Sequence, residues 1–216
     1  MPDRATERPG GLPISVRKEP VAYYADQVLS QIDDLVAAAA HRPVVVGIDG
    51  QGGSGKSTLA REFVARAGRG VIVAGDDFYA DMPEAQRAAL DAAGGYERYF
   101  DWERLRAQVL VPARAGNGVL RYQRYDWARE RLGPWVEMPM PDVVVVEGVY
   151  TLRPQLLGLL DVKIYVRSGE DARMDRQIAR GQNSSEWITR WVAAEDFYVA
   201  VCHPWRYADL VVDGGA

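Results

Sequence analysis

Unbroken apolar runs, rather than alternating ones, punctuate this chain. Val44-Val45-Val46-Gly47-Ile48, Val71-Ile72-Val73-Ala74, Val143 to Val146, Val162-Lys163-Ile164-Tyr165-Val166 and Leu210-Val211-Val212 are short and rich in β-branched residues. Such runs fit strands buried on both faces, as in a parallel sheet covered by helices. Helical patterns separate them, so strand and helix alternate, which predicts an α/β three-layer domain with about five parallel strands. Right-handed crossovers then gather the loops that follow the strands at one edge of the sheet. Upstream, Val21, Tyr24, Val28, Ile32, Leu35 and Ala39 recur at three- and four-residue spacing, predicting a helix that starts at Pro20 and packs one apolar stripe on the domain. Asp26, Asp33 and Asp34 exclude that helix as a membrane span. Residues 1–20 are polar, contain Pro and Gly and are expected to be flexible, leaving 21–216 as a single domain.

The first apolar run leads into Gly50-Gln51-Gly52-Gly53-Ser54-Gly55-Lys56-Ser57, a complete Walker A sequence, followed by Thr58 and a helical pattern to about Ala67. The glycines allow positive φ and close backbone approach, so successive N–H groups can converge on one phosphate. Lys56 would reach the β and γ phosphates, Ser57 would offer its hydroxyl to Mg²⁺, and the positive end of the helix would face the anion. Gly50-x-Gly52-x-x-Gly55 also fits the dinucleotide fingerprint, with Asp76 and Asp77 near the place of its ribose-binding acid; the added Lys56-Ser57 pair favours the triphosphate.

In such a sheet ligands sit beyond the carboxyl ends of the strands. Asp76 and Asp77 follow the second run, and Glu147 follows the third. Glu147 is placed to hold Mg²⁺ with Ser57, directly or through water. A carboxylate across from Lys56 could orient an acceptor hydroxyl and take its proton, and Asp76 is the candidate. The plainer alternative for each of these acids is a turn former or helix cap.

Composition narrows the partners. With 216 residues, 48% hydrophobic, 26% charged and a net charge of −4, the chain has ordinary globular values and no basic block, which argues against nucleic acid as the main partner. A single cysteine, Cys202, cannot form an intrachain disulfide, and with only His41 and His203 it argues against structural zinc. Met1 to Glu19 carries no apolar signal segment, so the expected location is cytoplasmic.

Gly-Gln-Gly-Gly-Ser-Gly-Lys-Ser-Thr, Gly75-Asp76-Asp77-Phe78-Tyr79 and Val-Val-Val-Val-Glu147-Gly148 together resemble the uridine kinase and phosphoribulokinase family of P-loop kinases. Phe100-Asp101-Trp102, Tyr125-Asp126-Trp127 and Arg206-Tyr207-Ala208-Asp209 are similar to further segments of that family. The resemblance implies a nucleoside monophosphate kinase-like fold in which ATP and Mg²⁺ phosphorylate a primary hydroxyl, most simply that of uridine or cytidine. It implies Asp76 as the base on that hydroxyl, Tyr79 beside it, Asp101 on the ribose hydroxyls and Tyr125 against the base, with Tyr125 and Trp127 on a small hairpin over the acceptor. Packing aromatics are the alternative for Tyr125 and Trp127. It also suggests a homo-oligomer.

Arg173, Arg176 and Arg180 recur at helical spacing before Gly181-Gln182-Asn183-Ser184-Ser185 and read as a lid in which Arg176 and Arg180 close over the phosphates. The alternative is a solvated face paired with Glu170, Asp171 and Asp175. Two departures bear on the acceptor. Arg129-Glu130 stands near the place of the family's pyrimidine-reading histidine, and Arg180-Gly181-Gln182-Asn183 replaces a further Arg-Gly-Arg. Glu130 could accept from an exocyclic amine, as in cytidine, or serve a sugar, a pantothenate-like molecule or nicotinamide riboside. Trp102, Trp127 and Trp135 are expected near the acceptor side. A nucleotide switch or GTPase is the competing class; Asp91-x-x-Gly94 fits its motif superficially, but no guanine-reading motif is present.

Overall fold

The computed structural model describes Tyr24 and residues 26–116, 118–181 and 184–214, with the Arg180 side chain left out. The segment expected to be flexible, 1–20, and the expected helix start at Pro20 lie outside the described residues. The first helix is described from Asp26, as α1 (Asp26–Ala38).

The chain continues as β1 (Val44–Asp49), α2 (Lys56–Ala67), β2 (Val71–Ala74), α3 (Glu84–Ala88), α4 (Ala92–Arg98), α5 (Trp102–Leu105) and α6 (Val111–Ala115). It then forms the strands β3 (Val119–Asp126) and β4 (Arg131–Pro139), followed by β5 (Val143–Glu147), β6 (Val162–Arg167), α7 (Glu170–Arg180), α8 (Ser185–Cys202) and β7 (Leu210–Asp213). The sheet order is β2-β5-β1-β6-β7, and every pairing is parallel. The five apolar runs are its five strands. Every residue of the central strands β1 and β5 is buried, as strands covered on both faces must be, whereas the edge strands β2 and β7 are only partly so.

Two apolar clusters flank the sheet. Ile32 and Val36 of α1 and Leu59 and Phe63 of α2 pack with Val44, Val46 and Val145 on one face. On the other, Leu105, Val109, Leu110 and Leu120 pack with Val45, Val144 and Val146. A third, aromatic cluster (Tyr79, Tyr96, Tyr99, Phe100, Tyr125, Tyr150, Trp191 and Tyr198) joins α8 to the loops beyond the strands. Outside the sheet, β3 and β4 form an antiparallel hairpin with an irregularity between Gln123 and Tyr125. Asp77 accepts from Arg124 of that hairpin at 2.9 Å, tying it to the loop after β2. Asp91 is the N-cap of α4, accepting from the Gly94 N–H at 2.7 Å, so the switch-like Asp91-x-x-Gly94 is a helix start.

Candidate active site

Between β1 and α2 the chain turns through Gly50–Gly55. Gly50 has φ +148°, and a Cβ there would run into the Val166 carbonyl; Gly53 has φ +77°, and its Cβ would lie 2.6 Å from the Arg173 carbonyl. Only glycine fits these two places. Lys56 is 8% exposed and donates to the Gln51 carbonyl at 2.9 Å. The amino end of α2 opens on a cavity of ≈ 550 Å³ lined by Gly52, Gly53, Gly55, Lys56, Ser57, Thr58, Arg61, Asp76 and Glu147, with Phe100, Trp127, Trp187 and Trp191 on its apolar side. Gly50 and Ser54 do not line it; Gly50 makes the turn, and Ser54 is wholly buried behind the loop.

Ser57 Oγ lies 3.1 Å from both carboxylate oxygens of Glu147 and donates to them. Burial raises the Glu147 pKa, Lys56 opposes that and nearby Asp76 adds to it. A hydroxyl and a buried carboxylate side by side are a hard-oxygen donor pair, which fits Mg²⁺. Among the described residues no group of three or more His, Cys, Asp or Glu could hold a metal, so the fit is that of an ion shared with phosphate and water.

A second cavity, of ≈ 970 Å³, adjoins the first. It is lined by Asp76, Tyr79, Asp81, Met82, Pro83, Glu84, Arg87, Tyr125, Trp127, Glu130, Ser184 and Trp187. Asp76, Trp127 and Trp187 line both cavities. The neighbouring acids therefore part company: Asp76 is exposed to both cavities, while Asp77 is 6% exposed and bound to Arg124. Burial raises the Asp77 pKa, with the Arg124 hydrogen bond and charge opposing it.

Tyr79 is 3% exposed, with its ring 5.1 Å from that of Tyr125, 4.5 Å from that of Trp127 and 4.1 Å from the Arg87 guanidinium. Burial pushes its hydroxyl up to about 12, so it stays protonated as a donor. Tyr125 is packed at 5% exposure, whereas Trp127 is 47% exposed. Asp101 lines neither cavity. It caps α5, accepting from the Arg104 N–H at 2.9 Å and facing the Arg104 Nε at 3.3 Å. That is the cap role open to an Asp before a helix, and its side chain is still 42% exposed.

A family model described as "Phosphoribulokinase / Uridine kinase family" matches residues 45–215. The chain belongs to that family. It is 30% identical over 188 residues to a uridine kinase of Limosilactobacillus reuteri, covering 81% of this chain and 84% of the relative. It is 29% identical over 186 residues to a uridine kinase of Halobacterium salinarum, covering 79% of this chain and 80% of the relative. In fold it is similar to a solved structure described as a possible uridine kinase from Bacillus stearothermophilus, with TM-score 0.68 and 23% identity over 87% of this chain and 96% of that one. A D-glycerate 3-kinase from Cryptococcus neoformans shares the fold with TM-score 0.53 and 15% identity over 79% of this chain and 85% of that one. As a member of the phosphoribulokinase/uridine kinase family the protein is an ATP-dependent small-molecule kinase, and the dinucleotide and GTPase alternatives fall away. No helix among the described residues is long and apolar enough to cross a membrane.

In α7, the helix expected to be the lid, Arg176 reaches the loop. Arg176 donates to the Gly53 carbonyl at 2.8 Å and lies 3.4 Å from Ser168 Oγ, and Gln177 donates to the Gly52 carbonyl at 3.2 Å. Arg173 is buried beside Glu195 of α8. Arg180 is the last residue of α7, and its side chain lies outside the described atoms. Trp102 and Trp135 are not at the site: Arg153 covers the Trp102 ring at 4.6 Å and Arg121 covers Trp135 at 4.0 Å. Trp187 and Trp191 of α8 take their place.

Sequence reasoning missed two groups, Asp49 and Glu195. Asp49, fully buried at the end of β1, accepts from Gly50 N at 2.5 Å, Leu152 N at 2.6 Å and the Tyr198 hydroxyl at 2.6 Å. Burial raises its pKa, against those hydrogen bonds and Lys56. Glu195 and Arg173 meet behind the loop. The one available signal was an acid inside the apolar run just before Gly50; nothing local marks Glu195.

Proposed function

We propose that this kinase transfers the γ-phosphoryl group of ATP, with Mg²⁺, to the primary hydroxyl of a nucleoside, with cytidine and uridine first among the acceptors. The observation that carries the reading is that Asp76 lines both cavities, one around the Walker A loop and one walled by aromatics and acids. A carboxylate at such a junction can accept the proton of a hydroxyl presented from the larger cavity while Lys56 and the loop N–H groups hold phosphate in the smaller one. Ser57 and Glu147 would hold Mg²⁺, which supplies charge neutralisation for the phosphates. Gly52, Gly53, Gly55 and Thr58 would contribute loop and helix donors, and Arg176 and Arg180 would offset charge from the lid. Trp127, half exposed between both cavities, would stack on the acceptor, and Tyr79 would back it.

Carboxylates support an acceptor bearing an amine. Asp81, Glu84 and Glu130 line the larger cavity, whose one lining arginine among the described residues, Arg87, is occupied by Glu84, the Ala80 and Met82 carbonyls and the Tyr79 ring. That wall favours cytidine over uridine, because a carboxylate accepts from an exocyclic amine and repels a carbonyl edge. ADP release with Mg·ATP across cytidine, uridine, nicotinamide riboside, pantothenate and simple sugars tests the reading. Turnover with cytidine above uridine is expected, lost in Lys56→Ala; turnover with none of the nucleosides overturns the nucleoside assignment, and turnover by Lys56→Ala overturns the role of the loop.

A further inference from the structure

The Walker A loop already holds an anion of the protein's own. Glu195 of α8 is 3% exposed and accepts from the Gly52 N–H at 2.9 Å, and its other oxygen would lie 3.0 Å from a Cβ on Gly52. It lines the smaller cavity with Lys56 and Ser57. Behind it lies Arg173, 4% exposed, with Nη1 3.7 Å from the carboxylate. Among the described residues Arg173 Nε and Nη1 are buried with no hydrogen-bond partner. A buried guanidinium with two idle donors, just beyond reach of a carboxylate that is bonded elsewhere, is a costly arrangement in isolation. It becomes intelligible if the carboxylate has two stations.

We propose that Glu195 is an internal occupant of the phosphate loop, which an incoming nucleotide phosphate displaces from the Gly52 N–H onto the idle donors of Arg173. The inference rests on the nucleotide reading of the loop and adds to it a residue that sets affinity. Displacement exchanges one charge-assisted hydrogen bond for another, so the loop stays satisfied when empty and Arg173 becomes satisfied when it is filled. The lid shares the same arc of chain, since Arg176 and Gln177 bond Gly53 and Gly52 and Gln51 donates to Asp196 at 2.7 Å, so movement of Glu195 is felt on both α7 and α8. The charged and titratable groups facing Glu195 are Lys56 from α2, Arg173 from α7, Asp196 beside it on α8, Tyr150 after β5 and Tyr165 on β6. Burial pushes Glu195 up to about 7, with Lys56, the Gly52 N–H and Arg173 opposing. Protonation therefore removes the competitor near neutral pH.

The test is calorimetric binding of Mg·ADP to the full chain. Glu195→Gln is expected to bind about tenfold more tightly than wild type at pH 8, the size of one lost charge-assisted competitor. Wild-type affinity should rise relative to Glu195→Gln as pH falls from 8 to 6, closing the gap. Arg173→Met should weaken binding in the wild-type background and leave Glu195→Gln unchanged, a coupling that a merely structural arginine would not show. Equal or weaker binding by Glu195→Gln, or a pH-independent gap, would overturn the displacement and make Glu195 a brace for the loop. No Mg·ADP binding by the wild type overturns the nucleotide reading together with it. Far-UV circular dichroism of each variant separates loss of fold from loss of binding.

Discussion

At the scale of single residues, burial and hydrogen bonding divide acids that look alike in sequence. Asp76 and Asp77 are adjacent, yet one faces both cavities and the other is buried against Arg124. Asp76→Asn should therefore lower kcat by roughly 10²–10⁴ while leaving nucleotide affinity within about threefold, as measured by steady-state kinetics and Mg·ADP titration. Asp101→Ala separates a helix cap from a ribose ligand. Loss of the α5 cap should cost about 1 kcal/mol in denaturant unfolding, with the acceptor KM nearly unchanged. A large rise in that KM with stability intact would place Asp101 on the ribose. Asp49→Asn turns an amide donor toward some of its N–H and O–H donors and should destabilise by about 2–4 kcal/mol.

Elements meet at the site through few connections, and the hairpin is the clearest case. Among the described residues strands β3 and β4 pair with each other and not with the main sheet; Leu120 and Tyr122 pack the hairpin on the core, and its end beside the larger cavity is tied by the Asp77–Arg124 ion pair, the aromatic contacts of Tyr125 and the Arg104 guanidinium, which bonds the carbonyls of Asp77, Tyr79 and Gln123. Arg124 is half exposed, so the Asp77–Arg124 coupling should be about 1 kcal/mol in a double-mutant cycle. The functional effect should be larger than that on stability: Arg124→Ala is expected to raise the acceptor KM severalfold at unchanged nucleotide affinity, because the hairpin carries Trp127 and Glu130 but no loop residue. Equal losses for both ligands would mean that the pair supports the fold as a whole. Helix α8 is anchored differently, by Trp191 and Tyr198 in the aromatic cluster and by the Tyr198–Asp49 hydrogen bond at the root of the loop.

Over the whole molecule, buried carboxylates give stability a definite pH slope. Glu195 rises from 4.5 to about 7 on folding, so between these values the folded chain holds a proton that the unfolded chain releases. Stability contributed by this group is present in full below pH 4.5 and is lost as pH rises through about 7; Asp49, Asp77 and Glu147 shift the same way through burial. The melting temperature should accordingly increase from pH 8 to pH 6, and less steeply in Glu195→Gln, by differential scanning calorimetry. The parallel sheet, the Walker A loop and the helix after it were legible along the chain because each is encoded locally, in unbroken apolar runs, in glycine spacing and in a Lys-Ser pair. The family could be read there too, since its motifs are short and ordered. The cap made by Asp101 and the arginines over Trp102 and Trp135 were not legible, because whether a side chain caps a helix, lies under an arginine or faces a cavity depends on which residue packs beside it. Glu195 and Arg173 lie far in sequence from the loop they flank, and only the packing of α7 and α8 on β1 and its loop brings them to Gly52. The strands, the phosphate loop and the class of chemistry are written in contiguous residues and need no tertiary contact to be read. Which carboxylate faces the two cavities and which one bonds the loop is settled only by the packing of distant segments, because burial and charge pairing exist only once the chain has closed on itself.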